Sequence, residues 1–172
     1  MKIGINAGHT KLGTGTGAVG QVIESVENRK IAYELMKQLS STNHEVIPIV
    51  IDKSGNNLKE AVSVANSKKC DLFISIHLNA GGGQGCECYT YKGEKHKEAI
   101  NICNNLNKLG FKNRGVKDGT NMYVVKYTTM KAVLVEVCFV DNPNDVQLYK
   151  KVGIEKIAEA IKKGVIWEIL IE

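Results

Sequence analysis

The chain is 172 residues long, the size of one ordinary domain built around a single core, so one domain spanning residues 1–172 is expected. Hydrophobic residues at 43% and charged residues at 24% lie in the range of globular domains, and no apolar run approaches the roughly 20 residues needed to span a bilayer. The net charge of +5 is spread along the chain and aromatics are only 6%, which argues against nucleic acid as a partner.

In chain order, KIGINA at residues 2–7 is a short apolar run that stops at Gly8, as a strand would, and a Gly/Thr-rich loop follows it. Ile31, Leu35, Met36 and Leu39 recur at helical spacing within 26–39, while 44–51 is β-branched and short like a buried strand. The pattern then predicts a helix over 57–68, a buried strand at DLFISIHLN, and a third strand at GCECYTYKG. A helix over 94–109 ends at Gly110, a β-type patch is expected at Met122–Val125, and KAVLVEVCFV is the most strongly buried strand. From Asp145 onward, Leu148, Val152, Ile157, Ala158, Ile161 and Val165 fall at three- and four-residue steps and close the domain with one or two helices. Such alternation predicts a single α/β domain with a mostly parallel, twisted central sheet flanked by helices on both faces.

The five cysteines form no CxxC pair and are odd in number; most lie inside apolar runs, so they read as reduced, buried thiols. The N-terminus MKIGINAGH lacks the apolar region of a secretory signal, and synthesis in the cytoplasm without a signal peptide is the expectation.

Ligands of an open α/β sheet bind beyond the carboxyl ends of its strands. His9 follows the first strand, His77 closes the FISIH strand, and Glu136 lies near the end of VLVE, so all three can face one crevice. Glu24 enters from the start of the first helix, with Glu27 as a nearby competitor that chemistry alone does not eliminate. Two imidazoles and one carboxylate suffice for catalytic zinc, which keeps a fourth position for water, and a further carboxylate is then needed to move protons. Glu136 is the candidate for that role. Set among Val133, Leu134, Val135, Val137 and Phe139, it would be costly to bury unpaired, and its plainer explanation is a salt bridge to a lysine. For His77 the plainer explanation is a core hydrogen bond.

Several motifs in fixed order resemble the zinc-dependent N-acetylmuramoyl-L-alanine amidases of the amidase 3 family. They are NAGH ending at His9, Gly17-Ala18, Glu24 with Asn28, Ala65-Asn66, SIHLNA at 75–80, VLVEVCFVDN at 133–142 and IAEAIKKGV at 157–165. The resemblance implies His9, Glu24 and His77 as ligands of one zinc ion, Glu136 as catalytic acid/base, and peptidoglycan as the substrate, with no obligate protein partner. It selects Glu24 over Glu27 because only Glu24 has the partnering Asn28. Two departures stand out: the stretch before Ala65-Asn66 lacks the arginine that members commonly carry, and Cys138 replaces a usual glycine. The implied reaction is hydrolysis of the amide between N-acetylmuramic acid and L-alanine. A phage endolysin, acting on the wall after release and completed by a C-terminal wall-binding domain outside this chain, fits the missing signal; a host sporulation or germination amidase is the alternative.

Gly15, Gly17 and Gly20 also match the G-x-G-x-x-G pattern of a dinucleotide-binding oxidoreductase. The glycines begin only at Gly13, after the strand has ended, and Asp52 lies farther on than that fingerprint's ~20 residues, so a loop beside the site is the better account. A wall-binding module without catalysis would not need all four site residues.

Overall fold

Six strands form one sheet in a computed structural model that describes residues 1–166. In chain order the elements are β1 (Lys2–Ala7), α1 (Glu24–Ser40), β2 (Glu45–Val50), α2 (Asn57–Ser67), β3 (Leu72–Asn79) and β4 (Cys86–Thr90). They continue with α3 (Lys97–Lys108), β5 (Asn113–Asp118), α4 (Tyr123–Lys126), β6 (Lys131–Phe139), α5 (Pro143–Val152) and α6 (Ile154–Val165). The strands lie in the order β2-β1-β3-β6-β4-β5. The first four run parallel, whereas β4 is antiparallel to β6, and β5 is parallel to β4. The sheet is therefore mostly parallel, as expected, with a two-strand reversal at one side.

Strand pleating sends alternate residues to opposite faces. Ile5, Ile74, Ile76, Val133 and Val135 pack with Leu35 of α1, Ile102 of α3 and Ile161 of α6 on one face. On the other, Phe73 and Leu134 pack with Ala61 of α2 and Val124 of α4. Asn6, Ser75, His77 and Glu136 share the parity of that second face, which places polar groups where the α2/α4 layer gives way to the carboxyl ends of the strands.

Two parts of the fold depart from the sequence reading. Residues 113–118 form the edge strand β5, which NRGVKD does not signal because its residues are all half-buried or exposed and carry no alternation. Residues 122–125 lie largely in the single turn α4 rather than in a β-type patch; a four-residue apolar run has too short a period to choose, and packing on Leu134 chooses for it. The end of β6 is fixed locally. Asn142 caps α5, accepting from the amides of Asn144 and Asp145, with Pro143 at the first helical position. Asp145 then accepts from the Phe139 amide at 2.9 Å and the Gly85 amide at 2.8 Å, tying the strand that carries Glu136 to the loop after β3.

All five cysteines are free and buried, in agreement with their reading as small hydrophobes.

Candidate metal centre

His9, Glu24 and His77 come from three separate segments and meet at one atom. Glu24 Oε1 lies 3.1 Å from His9 Nε2 and 3.0 Å from His77 Nδ1. The ligand-type atoms of the three residues all lie within 4.8 Å of one another, and among the described residues this is the group of three or more His, Cys, Asp or Glu side chains able to share a cation. The two imidazoles meet edge to face with centroids 4.9 Å apart.

Glycines clear the space. A Cβ at Gly8 would sit 2.2 Å from the His77 ring, and one at Gly17 would sit 2.5 Å from Glu24 Oε2, so neither position admits a side chain. The next residue, Ala18, donates its amide to Glu24 Oε2 at 2.8 Å. Gly17-Ala18 is thus a cradle for the carboxylate. The glycine-rich loop joins β1, ending at Ala7, to α1, beginning at Glu24, by folding over the cluster; it presents no helix N-terminus at the strand end, as a pyrophosphate would require.

Each imidazole is oriented through its other nitrogen. His9 Nδ1 faces the Gly15 carbonyl at 3.1 Å, which can only accept, so Nδ1 carries the proton and Nε2 is the ligand-type atom. His77 is oriented through the sheet. Asn6 Nδ2 donates to the Ile49 carbonyl at 2.8 Å, leaving Oδ1 to accept from the Ser75 hydroxyl at 2.7 Å. Ser75 Oγ therefore accepts from His77 Nε2 at 3.1 Å, and Nδ1 is left to face Glu24.

These contacts set the charges. Burial opposes ionisation of Glu24, but hydrogen bonds and attraction from His77 and His9 outweigh it and hold the carboxyl well below the usual range. His9 is raised, its burial overcome by the hydrogen bond and charge of Glu24, whereas burial dominates at His77 and lowers it. A pre-ionised carboxylate between two imidazoles is the charge state a divalent cation requires.

Glu136 stands beside this cluster, directly opposite His77 in the β3–β6 register. Among the described residues no lysine forms a salt bridge with it. Its Oε2 is sealed from solvent and has no hydrogen-bond partner among the described residues. Burial, then the negative charges of Glu24 and Glu87, push the carboxyl up to about 8. Glu87 lies opposite Glu136 on β4 and is supplied with donors: Arg114 Nε at 2.7 Å, Tyr89 OH at 2.8 Å and Asn79 Nδ2 at 2.8 Å. Adjacent carboxylates in unlike surroundings divide the roles, one engaged by three donors and the other poised to carry a proton.

Glu27, the competitor to Glu24, points elsewhere, accepting from Tyr149 OH at 2.7 Å and Lys30 Nζ at 2.8 Å. Sequence reasoning missed Asn6, Ser75 and Glu87. Their signal was present: polar residues inside the apolar runs KIGINA, LFISIH and CECYT must be satisfied by something.

Comparison with known proteins identifies the family and the fold. The model of the family Amidase_3, N-acetylmuramoyl-L-alanine amidase, matches residues 3–166. An uncharacterised Clostridium perfringens protein, CPE1502, is 35% identical over 96% of this chain and 51% of its own length. The endolysin of Bacillus phage SPP1 is 29% identical over 94% of this chain and 63% of its own. The chain spans about half the length of the first of these relatives. Among solved structures, the catalytic domain of the CD27L endolysin targeting Clostridia difficile superposes with a TM-score of 0.87 at 34% identity, covering 96% of both chains.

Proposed function

From the premise that this chain belongs to the Amidase_3 family of N-acetylmuramoyl-L-alanine amidases, matched over residues 3–166, we propose that it cleaves the amide between N-acetylmuramic acid and L-alanine in peptidoglycan. In this reading residues 1–172 are the catalytic unit, one zinc ion is held by His9, Glu24 and His77, and Glu136 is the acid/base. The observation that carries it is the convergence of three ligand-type atoms on one cradle beside a half-buried carboxylate whose Oε2 has no hydrogen-bond partner among the described residues.

The residues fit zinc by type and by orientation: with Nδ1 of His9 and Nε2 of His77 held by Gly15 and Ser75, Nε2 and Nδ1 face the ionised Glu24 carboxylate, and a cation would displace the protons they share with it. When bound, zinc supplies Lewis acidity toward the scissile carbonyl and toward water. The remaining steps belong to the chain. Glu136, in its ionised form, would accept a proton at its carboxylate from the attacking water and then return it to the departing amide nitrogen. Glu87, paired with Arg114, faces Glu136 across the β4–β6 register and raises the proton affinity of that carboxyl.

Ser75→Ala is expected to weaken zinc binding by roughly 10- to 100-fold, because His77 loses the acceptor that fixes its tautomer. Competition against a chromophoric chelator measures this, and an unchanged affinity would remove Ser75 from the site.

The biological reading is a wall-lysing enzyme of the phage endolysin type, in line with the likeness to the SPP1 and CD27L endolysins. Among the described residues no helix is long and apolar enough to cross a membrane. Digestion of purified cell walls is expected to expose free L-alanine amino termini in step with zinc content. Release of reducing sugars instead, or of neither, would overturn the proposal.

A further inference from the structure

Arg29 lies one turn beyond Glu24 on α1, is only 6% exposed, and has no role in the scheme above. Its guanidinium makes four hydrogen bonds to three different segments. NH1 donates to the Ser25 carbonyl at 2.8 Å, in the first turn of α1. NH2 donates to the Ile51 carbonyl at 2.9 Å and to the His9 carbonyl at 3.2 Å. Nε donates to Asp52 Oδ1 at 2.9 Å. Asp52 in turn accepts with its backbone carbonyl from the amides of Lys11 and Leu12, both at 2.9 Å, closing the turn that follows His9.

His9 needs such support. Its φ of +66° places a non-glycine residue in the left-handed region, where the Cβ crowds the backbone and the conformation persists only if its surroundings impose it. The carbonyl held by Arg29 belongs to this same residue. One guanidinium thus fixes the strained backbone of one proposed ligand and the helical turn that carries another, and references both to the end of β2.

We infer that Arg29 is the positioning residue of the metal centre, setting the separation of His9 from Glu24 so that both reach one cation. The inference rests on the zinc reading above and concerns affinity rather than chemistry, since Arg29 touches no reacting atom. A planar fork with several donors is needed; lysine, a single point donor, can satisfy only part of the set.

The test uses the full chain stripped of metal, with zinc alone titrated against a chromophoric chelator and folding checked by circular dichroism. Arg29→Gln is expected to bind zinc about 10- to 100-fold more weakly, and Arg29→Lys to fall between it and the parent. At saturating zinc, wall hydrolysis by both variants is expected to recover most of the parental rate. Parental zinc affinity in folded R29Q overturns the inference. If R29Q does not fold, R29K decides: a loss of affinity supports it and parental affinity overturns it. Loss of hydrolysis that zinc does not restore also overturns it. Failure of the parent protein to bind zinc would instead strike the zinc reading, which separates the two.

Discussion

Glu136→Gln is expected to lower hydrolysis of purified peptidoglycan by roughly 10²- to 10⁴-fold while zinc content stays at the parental level. Glutamine keeps the shape of the side chain and cannot take up a proton, so binding and chemistry are separated in one variant. The same substitution is expected to stabilise the metal-free protein at pH 8. The folded-state affinity of Glu136 for protons is raised above its ordinary value, to about 8, so the native state holds a proton that the unfolded chain has already lost. The contribution is fully present below about pH 4.5, and it disappears as pH rises through 8. Above that range the parent carries a half-buried charge whose Oε2 has no partner among the described residues, and Gln carries none. Each tenfold change in proton affinity is worth ~1.4 kcal/mol, so the difference is on the order of a few kcal/mol. Thermal melts in excess chelator at pH 4.5 and pH 8 measure this. A variant that is fully active, or no more stable than the parent at pH 8, would show that Glu136 is structural.

Removal of zinc is expected to abolish hydrolysis and to lower the melting temperature by about 8–16 °C, with both restored when zinc is returned. Zinc at about a thousand times its dissociation constant stabilises the folded chain by ~4 kcal/mol, and each kcal/mol moves the melting point of a domain of this size by ~2–4 °C. Glu24→Gln is expected to melt at the same temperature with and without zinc, because Oε1 is the atom on which both imidazoles converge and an amide there carries no charge to offer the cation. Glu27→Gln serves as the control. It breaks the contacts to Tyr149 and Lys30, lowering stability in both states, and should preserve the full zinc increment. If Glu27→Gln loses the increment and Glu24→Gln keeps it, the ligand assignment is wrong.

Much of the site was legible because its members violate the pattern around them. His77 and Glu136 end or interrupt strands that are otherwise apolar, and a polar group in such a place must be satisfied by a partner or by function. His9 is less visible, since a histidine beside a glycine is common in loops, and the choice of Glu24 over Glu27 came only with the resemblance to a family. The reason is geometric. Both glutamates lie in the first turn of α1 with similar local sequence, and what distinguishes them is that Glu24 reaches the Ala18 amide and two imidazoles while Glu27 reaches Tyr149.

The alternation of apolar strands and amphipathic helices was sufficient by itself to determine an α/β domain, because periodicities of 2 and 3.6 residues are local properties that do not depend on the partner. The same pattern marked β3 and β6 as buried strands, since residues buried on both faces read as continuous apolar runs, and the sheet places both at its centre. Only the tertiary structure decided the rest. The reversal of β4 and β5, the helical choice at α4 and the edge strand β5 follow from which surfaces remain to be covered. The relay from Asn6 through Ser75 to His77 and the clamp of Arg29 on His9 link residues 69 and 20 positions apart. Such hydrogen bonds depend on register and chain crossing, which no local period encodes.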